Sequence, residues 1–278
     1  MDKTKSKKPI IIALIAVVAV ILSLVITAVS LLVVFVDNRT LDFEEFFIGS
    51  GDSDIRIIHL SDLHFPNVVD TDNMLDRIEE EQPDIIAITG DLIGTRTAIR
   101  TSGVSEFIQR LATVAPVFFV SGNHENRNPE SYILYAMLVE SGVYILNNRS
   151  VTLNLGGVYV ALVGLDYGTR YTATLPDYVE NNFVILLTHE PVFGNILITV
   201  SGISITPGLI LAGHIHGGQI RIFGRGLLSP DTLVFPRYSS GLYTSGETDM
   251  IVSRGIGNSI VPWRFNNRPH IPIINISF

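Results

Sequence analysis

Ile55-Arg56-Ile57-Ile58-His59-Leu60-Ser61-Asp62-Leu63-His64 opens as an apolar run and closes on two metal-binding side chains, Asp62 and His64. Continuous rather than alternating apolar character predicts a β-strand buried on both faces of a covered sheet. Residues two apart at a strand end project to the same side, so Asp62 and His64 can serve one metal cluster.

Four similar units follow. Asp84–Thr89 runs into Gly90-Asp91, and Val117–Val120 is followed by Gly122-Asn123-His124-Glu125; Phe183–Thr188 precedes His189, and Leu209–Ala212 precedes Gly213-His214-Ile215-His216. If all five strands end at one edge, their loops converge on a crevice beyond the carboxyl ends, where open α/β sheets place ligands. Asp and His are ligands shared by Mn²⁺, Zn²⁺ and Fe²⁺, and an Asn carbonyl adds a neutral oxygen.

The ordered blocks Asp62-x-His64, Gly90-Asp91, Gly122-Asn123-His124-Glu125, His189 and Gly213-His214-x-His216 resemble the calcineurin-like metallophosphoesterase superfamily over roughly residues 54–278. The stretch Gly213–Arg221, the ending Arg254–Ser259, Pro262 and Arg268-Pro269 are similar to a bacterial membrane-associated branch that includes phosphodiesterases of UDP-diacylglucosamine. The resemblance implies an α/β fold of layered sheets flanked by helices, in the order αββα. It also implies two divalent ions, with Mn²⁺ the leading expectation. One ion would be held by Asp62, His64 and His216, the other by Asn123, His189 and His214, with Asp91 as the bridge. Two such cations acidify a water, orient phosphoryl oxygens and stabilise an in-line displacement. His124 would protonate the leaving oxygen or stabilise the transition state.

Many relatives carry an acid three residues after the bridging aspartate, where it orients the catalytic histidine. Here that position is Gly94, so Glu125 or a backbone carbonyl is expected to substitute. Arg127, two residues past Asn-His-Glu, and Asp166-Tyr167, which follow the apolar run Tyr159–Leu165, are candidates for substrate contact; solvated or ion-paired surface charge is the alternative for the two charged residues. His59 reads as a core residue and His270 as a surface residue, and neither is placed in the site. Gly217-Gly218 fits either an anion-binding turn or a tight turn after His216.

Pro9–Val36 is free of charge for 28 residues. As a helix it would extend about 42 Å against a hydrocarbon core of about 30 Å, which predicts one transmembrane helix. A cleaved secretory signal normally has a shorter apolar region. Lys3, Lys5, Lys7 and Lys8 precede the span, while Asp37, Arg39, Asp42, Glu44 and Glu45 follow it. The excess of lysine predicts a cytoplasmic tail over 1–8 and a single-pass protein of the cell membrane whose catalytic domain lies outside the cytoplasm. Residues 37–53 read as a linker and 54–278 as the metallophosphoesterase domain.

Residues 40–278 carry 14 Arg against 25 Asp and Glu, a formal balance of −11. An acidic surface repels nucleic acid, so the expected partners are the bilayer and a phosphate ester, lipid-linked or otherwise. The absence of cysteine excludes disulfides and Cys-based metal sites. Helices are expected over Thr71–Glu81, Val104–Leu111 and Pro129–Val139. Val192–Val200 is helical by position but lacks a charged face; a buried helix, an extra strand or a bilayer-docking segment are the readings open to it.

Three functions follow. The leading one is a membrane-anchored phosphodiester or pyrophosphate hydrolase of lipid-linked or envelope substrates. The second is hydrolysis of soluble extracellular nucleotides or phosphomonoesters. The third, a non-catalytic scaffold, should show gaps in its ligand set, and every position of the set is filled.

Overall fold

The structure is a computed structural model that describes residues 8–50, 55–67, 69–169, 172–175, 183–193, 197–200, 203–230, 234–258 and 261–278. In chain order the elements are α1 (Lys8–Asp37), β1 (Asp42–Ile48), β2 (Ile55–Leu60), α2 (Thr71–Glu80), β3 (Ile85–Thr89), α3 (Val104–Val114), β4 (Val117–Val120), α4 (Asn123–Arg127), α5 (Ser131–Glu140), β5 (Tyr144–Ile145), β6 (Arg149–Leu155), β7 (Val158–Gly164), β8 (Thr172–Leu175), β9 (Phe183–Leu187), β10 (Leu197–Val200), β11 (Ile203–Ile205), β12 (Leu209–Ala212), β13 (Arg221–Ile222), β14 (Arg225–Gly226), β15 (Gly241–Ser245), β16 (Thr248–Val252) and β17 (His270–Ile276).

Two six-stranded sheets carry the domain, in the orders β1-β17-β2-β3-β4-β5 and β15-β16-β12-β9-β7-β6. The strands that end in site residues run parallel within each sheet: β2 to β3 and β3 to β4 in the first, β9 to β12 in the second. The sheets face each other across a dry layer in which Ile57, Ala87 and Phe118 of the first pack with Leu162, Leu187 and Leu211 of the second. The opposite face of the first sheet lies under α2, α3 and α5, through Met74, Ile78, Phe107, Leu111 and Leu134. On the outer face of the second sheet Phe193, Tyr238 and Tyr243 pack over Val163, Leu186 and Met250. Burial on both faces explains why β3, β4, β9 and β12 read as unbroken apolar runs.

The helices follow from their caps and stripes. The Asp70 carboxylate accepts from the Asn73 N–H at the start of α2, whose Met74, Leu75 and Ile78 are all buried. α5 begins at Ser131 rather than Pro129, because the Asn128 side chain accepts from the Glu130 N–H and holds the preceding turn.

Three expectations change. The segment expected as a linker, 37–53, contains β1, paired in parallel with β17 from Asp42↔His270 to Ile48↔Ile276. The alternating polar residues of Asp42–Ile48 suit an edge strand with one wet face, which is why the stretch looks like a connector in sequence. Leu197–Val200 is strand, paired with β8 and β11, so the helical reading of 192–200 fails there. His270 is fully buried rather than superficial: its Nδ1 accepts from the Arg254 N–H at 3.2 Å, and its Nε2 lies 3.0 Å from Glu44 Oε2. β1 supplies that carboxylate, a long-range pairing that local sequence does not announce.

α1 presents apolar side chains to its surroundings along nearly its whole length, and residues 11–37 form a helix long and apolar enough to cross a membrane.

Candidate metal centre

Each expected ligand sits in the turn that follows a strand. Asp62 and His64 come after β2, Asp91 after β3, Asn123 and His124 at the start of α4 after β4, His189 after β9, and His214 and His216 after β12. Backbone bonds knit these turns together: the N–H groups of Asp62 and His64 donate to the carbonyls of Gly90 and Asp91, and the Gly213 N–H donates to His189. Five of the seven expected ligands hold left-handed backbone: Asp62 (φ 51°), His64 (φ 49°), Asp91 (φ 52°), His214 (φ 71°) and His216 (φ 51°). Such conformations cost on the order of 1–3 kcal/mol each and collect at functional sites. Gly90, at φ 85°, is required as glycine, since a Cβ there would lie 2.6 Å from the Gly122 nitrogen and 2.8 Å from His189 Nδ1.

Three overlapping groups have ligand atoms mutually close enough to hold an ion: Asp62/His64/His216, Asp91/His189/His214 and His64/Asp91/His124. In the first, His216 Nε2 lies 3.3 Å from Asp62 Oδ1 and 3.2 Å from His64 Nε2. In the second, His189 Nε2 is 3.3 Å from Asp91 Oδ2, 3.2 Å from Asn123 Oδ1 and 3.0 Å from His214 Nδ1. Asp91 Oδ2 also stands 3.7 Å from His64 Nε2, so one carboxylate oxygen faces both groups.

These atoms suit a cation. Asp62 Oδ2 accepts from the Ser61 hydroxyl and the His214 N–H, while Oδ1, buried, has no hydrogen-bond partner among the described residues. The His189 Nδ1–H is directed to the Thr89 carbonyl at 2.7 Å, leaving Nε2 turned toward two oxygen acceptors. Acceptors converge without matching donors, the arrangement a divalent ion satisfies. Burial holds His64 at about 4 and His216 at about 3, which keeps both imidazoles neutral and able to ligate. Burial lowers His189, but the Asp91 carboxylate outweighs it and raises the ring to about 10, a measure of how strongly this cluster attracts positive charge. Burial likewise raises Asp91, yet the surrounding histidines hold its carboxyl far below the usual range.

His124 is arranged differently. Its Nδ1 accepts from the Thr95 N–H at 3.0 Å, with the Thr95 hydroxyl 3.1 Å away, and its Nε2 is 3.8 Å from Asp91 Oδ2. Neither Glu125 nor a carbonyl orients it, contrary to expectation. Glu125, buried, accepts from the N–H groups of Asp91, Gly122 and Ile93 and fixes the two turns that carry Asp91 and Asn123. Burial, then the nearby Asp91, pushes Glu125 up to about 7.

Of the three candidates for substrate contact, the Tyr167 ring reaches the site, 5.9 Å from the His189 ring and 6.3 Å from that of His214. The Asp166 carboxylate accepts from the Ser121 hydroxyl. Arg127 is exposed at the end of α4. Gly217 and Gly218 serve close packing: a Cβ on either would lie 2.4 Å from Asn267 Oδ1 or 2.3 Å from the Gly226 Cα. His59 is buried as expected, with Nε2 2.8 Å from the Thr89 hydroxyl.

Sequence reading missed Arg264. It is fully buried, and its guanidinium donates to the carbonyls of Arg254 (2.9 Å) and Gly257 and lies 3.4 Å from His216 Nδ1. Nothing around Arg264 in sequence marks it, because every partner lies in a different turn.

The two-sheet fold and its convergent Asp, His and Asn side chains define a metallophosphoesterase. A family profile described as calcineurin-like phosphoesterase matches residues 55–218, and the chain belongs to that family. It is 30% identical over 225 residues to the uncharacterized metallophosphoesterase YkoQ of Bacillus subtilis, covering 78% of this chain and 82% of that protein. It is 26% identical over 238 residues to phosphodiesterase YaeI of Escherichia coli, with 83% and 85% covered. Similarity also extends, at 28% over 242 residues, to a transmembrane protein with metallophosphoesterase domain of Bos taurus, covering 78% of this chain and 52% of that one. The chain is a metal-dependent phosphoesterase.

Proposed function

We propose that the chain is a single-pass membrane phosphohydrolase that uses two divalent cations to cleave phosphodiester or pyrophosphate bonds of lipid-linked or envelope substrates. The observation that carries this reading is the placement of Asp91 Oδ2 between His189 and His64, which suits a carboxylate shared by two ions. Asp62, His64 and His216 would hold one ion, and Asn123, His189 and His214 the other. When bound, the cations supply an acidified water and neutralise charge as it develops in an in-line displacement.

The protein's own groups do the rest. Thr95 keeps the His124 proton on Nε2, aimed at the cluster, where it hydrogen-bonds the phosphoryl or leaving oxygen. Tyr167 walls the side of His189 and His214, and Arg127 draws the substrate phosphate toward the mouth. Manganese is the ion we favour, with zinc and iron tolerated by the same N/O donors.

The name of the Escherichia coli relative supports diester cleavage, and that of the Bos taurus relative supports a membrane setting. The lysines before α1 favour a cytoplasmic amino terminus and an extracytoplasmic domain. A site carried just beyond a bilayer-spanning helix meets lipid-borne phosphates at high local concentration, which favours lipid-linked substrates over soluble nucleotides.

The test compares hydrolysis of bis(p-nitrophenyl) phosphate and p-nitrophenyl phosphate by the full chain with Mn²⁺, with and without chelator, beside Asp91→Asn, and counts bound metal by elemental analysis. We expect diester cleavage that chelator abolishes, and loss of metal from both clusters in Asp91→Asn. Retention of the full metal complement in the variant would overturn the shared carboxylate.

A further inference from the structure

Asn38 is the first residue beyond α1, and it is buried. Its side-chain amide grips one residue in both directions: Nδ2 donates to the Arg264 carbonyl at 3.2 Å, and Oδ1 accepts from the Arg264 N–H at 3.1 Å. The same oxygen accepts from Asn258 Nδ2 at 3.2 Å. Asp37, the last helical residue, is also buried and faces Arg268 Nε at 3.6 Å. The end of the apolar helix is therefore bonded directly to Asn258 and into the segment 261–268.

That segment exposes an apolar side chain beside the helix exit. Trp263, adjacent to Arg264, is 39% exposed, and Gln219 Nε2 fixes its carbonyl at 3.0 Å. On the helix, the exposed Arg39 lays its guanidinium over the Phe35 ring, 4.2 Å from the centroid. Tryptophan and arginine at the end of an apolar span are the groups that settle in the headgroup layer, where an apolar body and a polar tip are both solvated.

We propose that residues 261–268 form a membrane-docking element, with Trp263 inserted into the headgroup layer of the leaflet from which α1 emerges. The phosphoesterase domain is then seated on the bilayer by the Asn38–Arg264 clamp and does not swing from a tether. The occupant of this surface is the lipid bilayer, because the helix leaving the clamp is itself the bilayer-spanning segment; the inference rests on the membrane reading given above. The guanidinium of the clamped residue reaches His216, so the metal centre lies one arginine side chain from the docking surface. Phosphates at headgroup height are the substrates such a placement favours.

Trp263 is the sole tryptophan of the chain, so its fluorescence reports this surface without added labels. The full-length protein is reconstituted into phosphatidylcholine and phosphatidylglycerol vesicles, floated on a density gradient, and titrated with lipids brominated near the ester. Interfacial insertion predicts a blue-shifted emission and loss of roughly half of it to the shallow quencher. Protein that floats with the vesicles but keeps an unquenched, water-like emission overturns docking while leaving the anchor intact. Protein that fails to float overturns both. Asn38→Ala should float as before with weaker quenching; unchanged quenching would show that the amide clamp does not seat the domain.

Discussion

Thr95 donates its backbone N–H to Nδ1 of His124 at 3.0 Å, the reverse of the acceptor that an acidic partner would provide. A nitrogen that accepts carries no proton, so the neutral ring keeps its proton on Nε2, the atom facing Asp91 Oδ2. Gly94, at the position where many relatives of this family carry an acid, offers no side chain to His124.

His124 donates to substrate and does not hold metal in this reading. His124→Ala should lower kcat by about 10²–10⁴-fold with bound metal unchanged. Elemental analysis beside the kinetics checks it, and a matching fall in metal content would make His124 a ligand.

The donor on Thr95 is a backbone group, so side-chain changes should spare it. Thr95→Val is expected to reduce kcat modestly, since only the hydroxyl is lost. Thr95→Pro removes the N–H and should approach the loss seen in His124→Ala, with metal content and thermal stability separating tautomer control from misfolding. Equal activity of the two variants would remove Thr95 from the account.

Arg264 holds the Gly257 carbonyl, which accepts from His216 Nδ1 at 3.3 Å, and loss of such outer support typically weakens metal binding 10–100-fold. Arg264→Leu should therefore lose that order of affinity at the Asp62/His64/His216 group and less at the Asp91/His189/His214 group. Sequential metal titration by calorimetry would resolve the two, and uniform weakening would contradict a local effect.

Glu44 and His270 make the protein sensitive to acid. The His270 ring and Arg254 hold Glu44 at about 2 against half burial, and burial holds His270 at about 4. Both folded-state values lie below their ordinary ones, 4.5 and 6.5, so the unfolded chain binds more protons in these windows. Stability should fall as pH drops from about 6.5 toward 4 through His270, and further from about 4.5 toward 2 through Glu44. Melting temperature against pH measures this; His270→Gln should flatten the upper part of the curve and, because His270 is the main group holding Glu44 down, weaken the lower part as well.

The candidate metal cluster was legible because its residues follow strands buried on both faces, and those strands advertise themselves as apolar runs. Position along the chain then fixed their order, and the Gly-Asp and Gly-Asn-His turns fixed their spacing. The supporting groups left no such trace. Arg264 works through carbonyls of Arg254 and Gly257, Asn38 through the backbone of residue 264, and Thr95 through its own N–H; backbone partners have no residue identity to read. β1 was hidden for a related reason. Its Asp, Glu and Phe residues fit a connector until β17, more than two hundred residues later, lies beside it. His270 was misjudged with it, since the carboxylate that explains its burial belongs to β1.

β17 occupies the second place in the first sheet, between β1 and β2. His270–Ile276 therefore bridges two strands that precede it by more than two hundred residues, and without it β2 has no neighbour on that side. Pairings across so long a separation are slow to form. Losing His270–Ile276 would strand β1 and bare one side of β2 at once, so damage to this single segment is damage to the whole sheet.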